Sequence, residues 1–258
     1  MKMTLCKVIA SACVAGALGL GATQARAQTG EVQEKPRLYT YVANWTIPRA
    51  RWGDMEKDTA VSNKILDHAV ASGTVVAYGD DTNLVHTAEG PTHAEWWCAL
   101  STAGALNVLD EFAKSAPSPV LASATKHWDN LYVSRFYNWR AGSVKGAYIH
   151  GATYRLKADA PSSSVSTLSK SFLVPMFEKL IADGSVQAYQ IAEESIHTDD
   201  PNTFFIFFIT ANAEGLDKTS AALREATGAN ALAIPALVSM VDFTPHRDYL
   251  GHANATFK

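Results

Sequence analysis

His86 and His197 are the residues of this chain whose type and placement best suit chemistry. They stand 111 positions apart and each is followed by threonine, Thr87 and Thr198. Imidazole titrates near neutrality, so such a pair could carry protons, ligate a metal or contact a ligand, and both histidines are the catalytic candidates. A second reading is equally physical: a His-Thr pair can end a strand through side-chain to backbone hydrogen bonds. Glu89 and His93 follow His86 closely enough to complete a weak metal donor set, as Asp199 and Asp200 do for His197. Imidazole with carboxylate suits zinc, iron or manganese. The spacing matches neither H-E-x-x-H nor a paired C-x-x-C, so no resident metal is expected.

Another group of residues could build a pocket. Asn44 and Trp45 close one strand, Arg135 and Tyr137 lie near the end of another, and Arg155 sits in the second half. Tyr78, Trp97 and Tyr189 fall along further strands. Aromatic walls with a few polar handles suit a small apolar or aromatic ligand. The same aromatics could simply fill a small barrel. Cys98 lies in an apolar strand and reads as inert core. The chain has no G-x-S-x-G elbow, P-loop, dinucleotide fingerprint or C-x-x-C-H motif.

The elements that must position these residues occur twice. Residues 61–87 lie without a gap over residues 172–198, pairing Gly73 with Gly184 and Ala77-Tyr78 with Ala188-Tyr189. A fixed offset of this kind reads as an internal repeat. In the first half a strand over 39–45 precedes a helix over 52–72, whose apolar stripe is Val61, Ile65, Leu66 and Ala69. Gly73 stands where a left-handed residue ends a helix. Strands over 74–78 (continuing irregularly to 86) and 95–101, a helix over 103–114 and a strand over 131–139 complete it. The second half offers a helix carrying Phe172, Met176, Phe177 and Leu180, with Pro175 predicting a kink or a late start. Strands over 186–197 and 203–210, a helix over 213–226 and a strand over 236–243 follow. Each half thus reads βαββαβ, the ferredoxin-like order, over 38–142 and 143–258.

The run from Phe204 to Ile209 is apolar at every position. A strand with one wet face alternates apolar and polar residues, so this one must be covered on both faces. Leaving such side chains exposed would forfeit roughly 1.5–3 kcal/mol each. Packing the two sheets together into one eight-strand barrel with helices outside avoids that loss. The expected fold is α+β, a single-chain pseudo-dimer needing no second subunit, with further oligomerisation left open.

Residues 1–27 read as a secretory signal peptide: Lys2 and Lys7, an apolar stretch from Val8 to Leu20, then Ala25-Arg26-Ala27 before Gln28. A flexible lead-in over 28–37 follows. Without the leader, 19 basic residues remain against 25 acidic ones, a formal net charge of −6, and Cys98 is the sole thiol. A mildly acidic surface with no basic block argues against nucleic acid or anionic lipid as partner. The apolar stretch is too short to span a membrane. A periplasmic or secreted protein with no internal disulfide is expected.

This doubled order of elements resembles the dimeric α/β-barrel superfamily over nearly all of residues 38–250. That superfamily includes antibiotic-biosynthesis monooxygenases, chlorite dismutases and stress-responsive barrel proteins. The resemblance is architectural and carries over no family's catalytic residues. It implies a barrel that binds a small molecule, with a cofactor-independent oxygenase-like activity as the leading expectation. A haem or divalent-metal enzyme, and a non-catalytic stress or interaction protein, are the alternatives.

Overall fold

The computed structural model describes residues 32–85, 87–115, 118–229 and 233–258, so the predicted leader and His86 lie outside the described residues. Eight strands hydrogen-bond in one closed ring, all antiparallel: β1 Leu38–Thr46, β2 Ala77–Val85, β3 His93–Ala99, β4 Lys126–Trp139, β5 Gly142–Leu156, β6 Ala188–Glu194, β7 Thr203–Thr210 and β8 Val241–Phe257. Their order round the ring is β1-β3-β2-β8-β5-β7-β6-β4. Within each half this is the ferredoxin-like order, with the last strand beside the first.

Closure comes from hydrogen bonding between the halves' edge strands. β2 pairs with β8 from Ala77↔Phe257 to Val85↔Leu250, and β4 pairs with β6 from Tyr132↔Glu194 to Trp139↔Ala188. A closed ring leaves no strand edge to recruit another chain. The halves are therefore joined by backbone ladders as well as by buried side chains.

The uninterrupted apolar run of β7 is explained by this closure. Phe204, Ile206 and Phe208 belong to the cluster beneath the helices, where Phe177 stacks on Tyr189 at 4.9 Å between ring centres. Phe205, Phe207 and Ile209 point into the barrel, among Tyr132, Ala192 and Ala188. In β4 a bulge between Ser134 and Phe136 resets the alternation, so Phe136 faces the helices while Tyr137 and Trp139 face inward.

Outside the ring, α1 Met55–Ala71 and α2 Thr102–Ala113 cover the first half. In the second half, α3 Ser164–Leu168 runs through a π turn, Ser169–Leu173, into α4 Val174–Ala182. Pro175 cannot donate to the carbonyl four residues back, and the wide turn before it absorbs the mismatch. The helix therefore begins well before the proline. Gly73 and Gly184 both take φ of +81°, the left-handed helix stop their positions predicted. α5 Ala213–Ala229 completes the expected layer.

One expected strand is replaced. Over 236–243 the chain forms the end of a further helix, α6 Ala233–Met240, and only then enters β8. A short apolar run does not distinguish a helix from a buried strand, and Ala, Leu and Met favour the helix. Pro235 falls in its first turn, where a missing N–H costs little. The actual strand, 17 residues from Val241, was hidden by its polar outer face of His246, Asp248, His252 and Asn254.

Candidate functional site

Inside the ring lies a cavity of about 110 Å³, walled by Leu38, Val42, Ile149, Phe207, Ile209 and Phe257 among others. Two glycines make room for aromatic rings across its wall. A Cβ on Gly79 would meet the Trp96 ring at 2.5 Å, and one on Gly151 would meet the Tyr249 ring at 2.1 Å. Glycine inside a strand marks such close approach.

Most polar groups on the inner surface already have partners. The Thr40 hydroxyl lies 3.2 Å from Cys98 Sγ and accepts from Gln190 Nε2 at 3.0 Å. Asn44 Nδ2 donates to Asn130 Oδ1 at 3.1 Å, and Asn130 Nδ2 donates to Thr198 Oγ1 at 3.2 Å. Tyr137 donates to the Pro36 carbonyl at 2.9 Å, and Trp139 Nε1 to the Lys258 carbonyl at 3.0 Å. Burial tends to raise Glu194, but hydrogen bonds from Thr198, Asp199 and Asn130 prevail and hold it below its usual value. These residues tie the ring together.

Three buried atoms on the cavity wall make no hydrogen bond of good geometry: Asp81 Oδ1, Asn83 Oδ1 and Trp96 Nε1, the indole lying near enough to Asp81 to favour its charged form. Asp81 is 2% exposed, Asn83 2% and Trp96 7%. Asn83 uses its amide N–H to hold the β2–β3 loop, donating to the Pro91 carbonyl at 2.8 Å, and that leaves its oxygen free. Burial pushes the Asp81 carboxyl up to about 8, with the neighbouring Asp80 charge acting the same way and the Trp96 indole opposing. A desolvated carboxyl at that value can exchange a proton near neutral pH, as a general acid or base must. The site therefore offers two acceptors and one donor in an apolar chamber.

The structure distributes the sequence candidates unevenly. Asn44 and Tyr137 line the cavity, and Tyr189 borders it. Tyr78 and Tyr189 turn their hydroxyls toward the helices, donating to Asp67 at 2.6 Å and Glu178 at 2.7 Å, equivalent positions in the two halves. Trp97 lies beneath α2, stacked on Tyr41 at 4.6 Å and donating to the Ala105 carbonyl at 2.9 Å. Trp45 stacks on His127 at 5.1 Å on the same outer layer. Arg135 sits at the β4 bulge paired with Glu34 at 2.6 Å, and Arg155 bonds Asp242 at 2.8 Å and Asp200 at 3.2 Å. Among the ligand candidates, Arg135, Arg155, Trp45, Trp97 and Tyr78 thus serve surface or helix-facing contacts.

Strand directions alternate round the ring, so the C-terminal ends of β2 and β6 share one mouth. His197 is exposed there, beyond β6. Glu89, His93 and His86 are not assembled as a metal site by what is described. Glu89 pairs with Lys126, and His93 is buried with Nδ1 3.0 Å from the Thr92 hydroxyl, its pKa lowered by burial to about 4. Among the described residues no group of three metal donors converges.

Three described histidines line outer pockets: His93, His127 and His150, the last in an apolar pocket of about 350 Å³ with Tyr154, Phe172 and Arg224. No described histidine lines the interior cavity. His93 lies in an outer cleft with Glu56, Asp58, Asp80 and Glu95 against one cation, Lys145, the wrong charge for a porphyrin's carboxylates. Burial pushes Cys98 up to about 12, which leaves it no use as a thiolate.

No family model matches the chain, and no curated protein matches it. Solved structures do. A candidate monooxygenase from Lactobacillus acidophilus NCFM superposes with a TM-score of 0.62 at 13% identity, covering 85% of this chain and 96% of that one. An anthrone oxidase-like protein gives 0.54 at 10%, covering 85% and 92%. A candidate chlorite dismutase gives 0.50 at 9%, covering 84% and 94%. At these identities the likeness speaks for architecture. The chain has the dimeric α/β-barrel fold, as two tandem ferredoxin-like halves closed into one ring.

Proposed function

We propose that this protein binds a small aromatic molecule inside its barrel and acts on it as an oxygenase-like enzyme without a resident cofactor. Molecular oxygen would be the oxidant and the substrate the source of electrons. The observation that carries this reading is the buried Asp81 carboxyl on the wall of an apolar cavity, one of its oxygens without a hydrogen bond of good geometry. A protein loses stability by keeping such a group, and perturbed carboxyls in cavities cluster at functional sites. The structural neighbours described as monooxygenase-like and anthrone oxidase-like support it as analogy. We further propose export, with the isolated mature chain beginning at or near Gln28; a retained Met1 would overturn this.

The test is a panel of monocyclic aromatics, scored by melting temperature and by oxygen uptake of the purified chain. Ligand present at 100 times its Kd is expected to stabilise the fold by about 2.7 kcal/mol. Oxygen uptake with a binder would support the enzyme reading. Binding without uptake would leave a binding protein, and no shift with any ring would contradict the site.

A further inference from the structure

We infer that the barrel interior is a site for a monocyclic phenol, or an enol of similar size, whose single hydroxyl proton goes to Asp81, with Asn83 two residues on along the same strand face, and whose oxygen meets the Trp96 indole N–H. The inference rests on the proposed interior site and names its ligand class.

Size sets the first limit. An apolar cavity of about 150 Å³ holds benzene. The chamber here, about 110 Å³, accepts one ring with small side-chain adjustments and excludes a fused tricyclic skeleton without rearrangement. Chemistry sets the second. The same three atoms comprise acceptors on Asp81 and Asn83 and a donor on Trp96. A hydroxyl is the smallest group that both donates and accepts. A plain hydrocarbon of the same size would give none of the three buried atoms a partner, and sites built this way reject analogues lacking the hydroxyl strongly.

The same placement defines a proton transfer. Once Asp81 is ionised, above about pH 8, the ligand O–H bond breaks, an O–H bond forms on Asp81, and the electron pair stays on the ligand oxygen beside the Trp96 N–H. No oxidant is consumed in this step. Phenols titrate near 10 and ordinary carboxylates near 4, a mismatch of about six units. Burial brings Asp81 up to about 8 and narrows that gap to about two.

The experiment compares phenol, toluene and benzene binding to the full chain by calorimetry, then repeats it with Asp81→Leu and Trp96→Phe. Phenol is expected to bind the native protein at least tenfold more tightly than toluene. Asp81→Leu should reverse that preference, and Trp96→Phe should reduce phenol affinity while sparing toluene. Equal binding of phenol and toluene by the native chain would overturn the inference yet leave the interior site standing. Binding of none of the three would remove the site as well. If Asp81→Leu does not fold, Trp96→Phe and the native comparison still decide. A series of fluorinated phenols reads the proton transfer, because acidity rises there with little change in size. Above about pH 8, where Asp81 is ionised before binding, phenolate absorption should appear on binding to the native chain and not to Asp81→Asn; the same spectrum with both would overturn the role of Asp81.

Discussion

Asp81→Asn is expected to remove a stability contribution that falls as pH rises from about 4 to about 8. The Asp81 carboxyl is raised from 3.8 to about 8 in the fold, mainly by burial. Between those values the folded state holds a proton that the unfolded chain has released. Stability then falls with rising pH, by about 1.4 kcal/mol per pH unit for one such group, and levels off above the folded value. Summed over the window this amounts to several kcal/mol. Glu95, raised to about 7 chiefly by burial, adds a fall of the same sign, and His93, lowered to about 4 by burial, adds a rise between about 4 and 6.5; the variant retains both. Denaturant melts of both proteins at several pH values would measure the difference. Parallel curves would show that Asp81 is not held as a buried acid.

Trp97→Ala is expected to cost about 3–5 kcal/mol, the range for removing a large buried aromatic. The side chain is 1% exposed, stacks on Tyr41, packs against Phe112 and donates to the Ala105 carbonyl. Its loss opens a void beneath α2 and leaves that carbonyl short of a donor. Because Trp97 faces away from the cavity, phenol affinity per folded molecule should stay within about twofold. Trp97→Phe should keep much of the stability, lacking the N–H contact worth about 1 kcal/mol. Urea melts of the three proteins would check the ranking. A mild loss in Trp97→Ala would contradict the packing described.

Much of this fold was legible because its signals are local. Gly73 and Gly184 stop their helices, and the two-sided apolar run of β7 demanded closure. β8 escaped notice because three small residues, Gly251, Ala253 and Ala255, separate Tyr249 from Phe257 on its inner face, and its outer face is polar. The site was legible only in part. Reading alternation from Ala77 along β2 places Tyr78 outward and Asp81 and Asn83 inward. That reading was blocked by the apparent irregularity of the Gly79-Asp-Asp-Thr-Asn83 stretch, which resembles a turn. In β4 the bulge at Arg135 reverses the faces, so Tyr137 could not be assigned by counting from Leu131. The histidines drew attention through their repetition, yet repetition also preserves residues that shape loops, and exposed His197 stands in one. Asp81 has no repeated counterpart, the equivalent position in the second half being Ala192.

The most direct measurement is a crystal structure of the full chain soaked with phenol. The ring is expected inside the barrel between Ile149 and Phe207, with its oxygen within about 3 Å of Asp81, the ordinary hydrogen-bond distance. Ring density confined to the outer clefts beneath the helices, or an interior filled by ordered water alone at saturating phenol, would contradict the account.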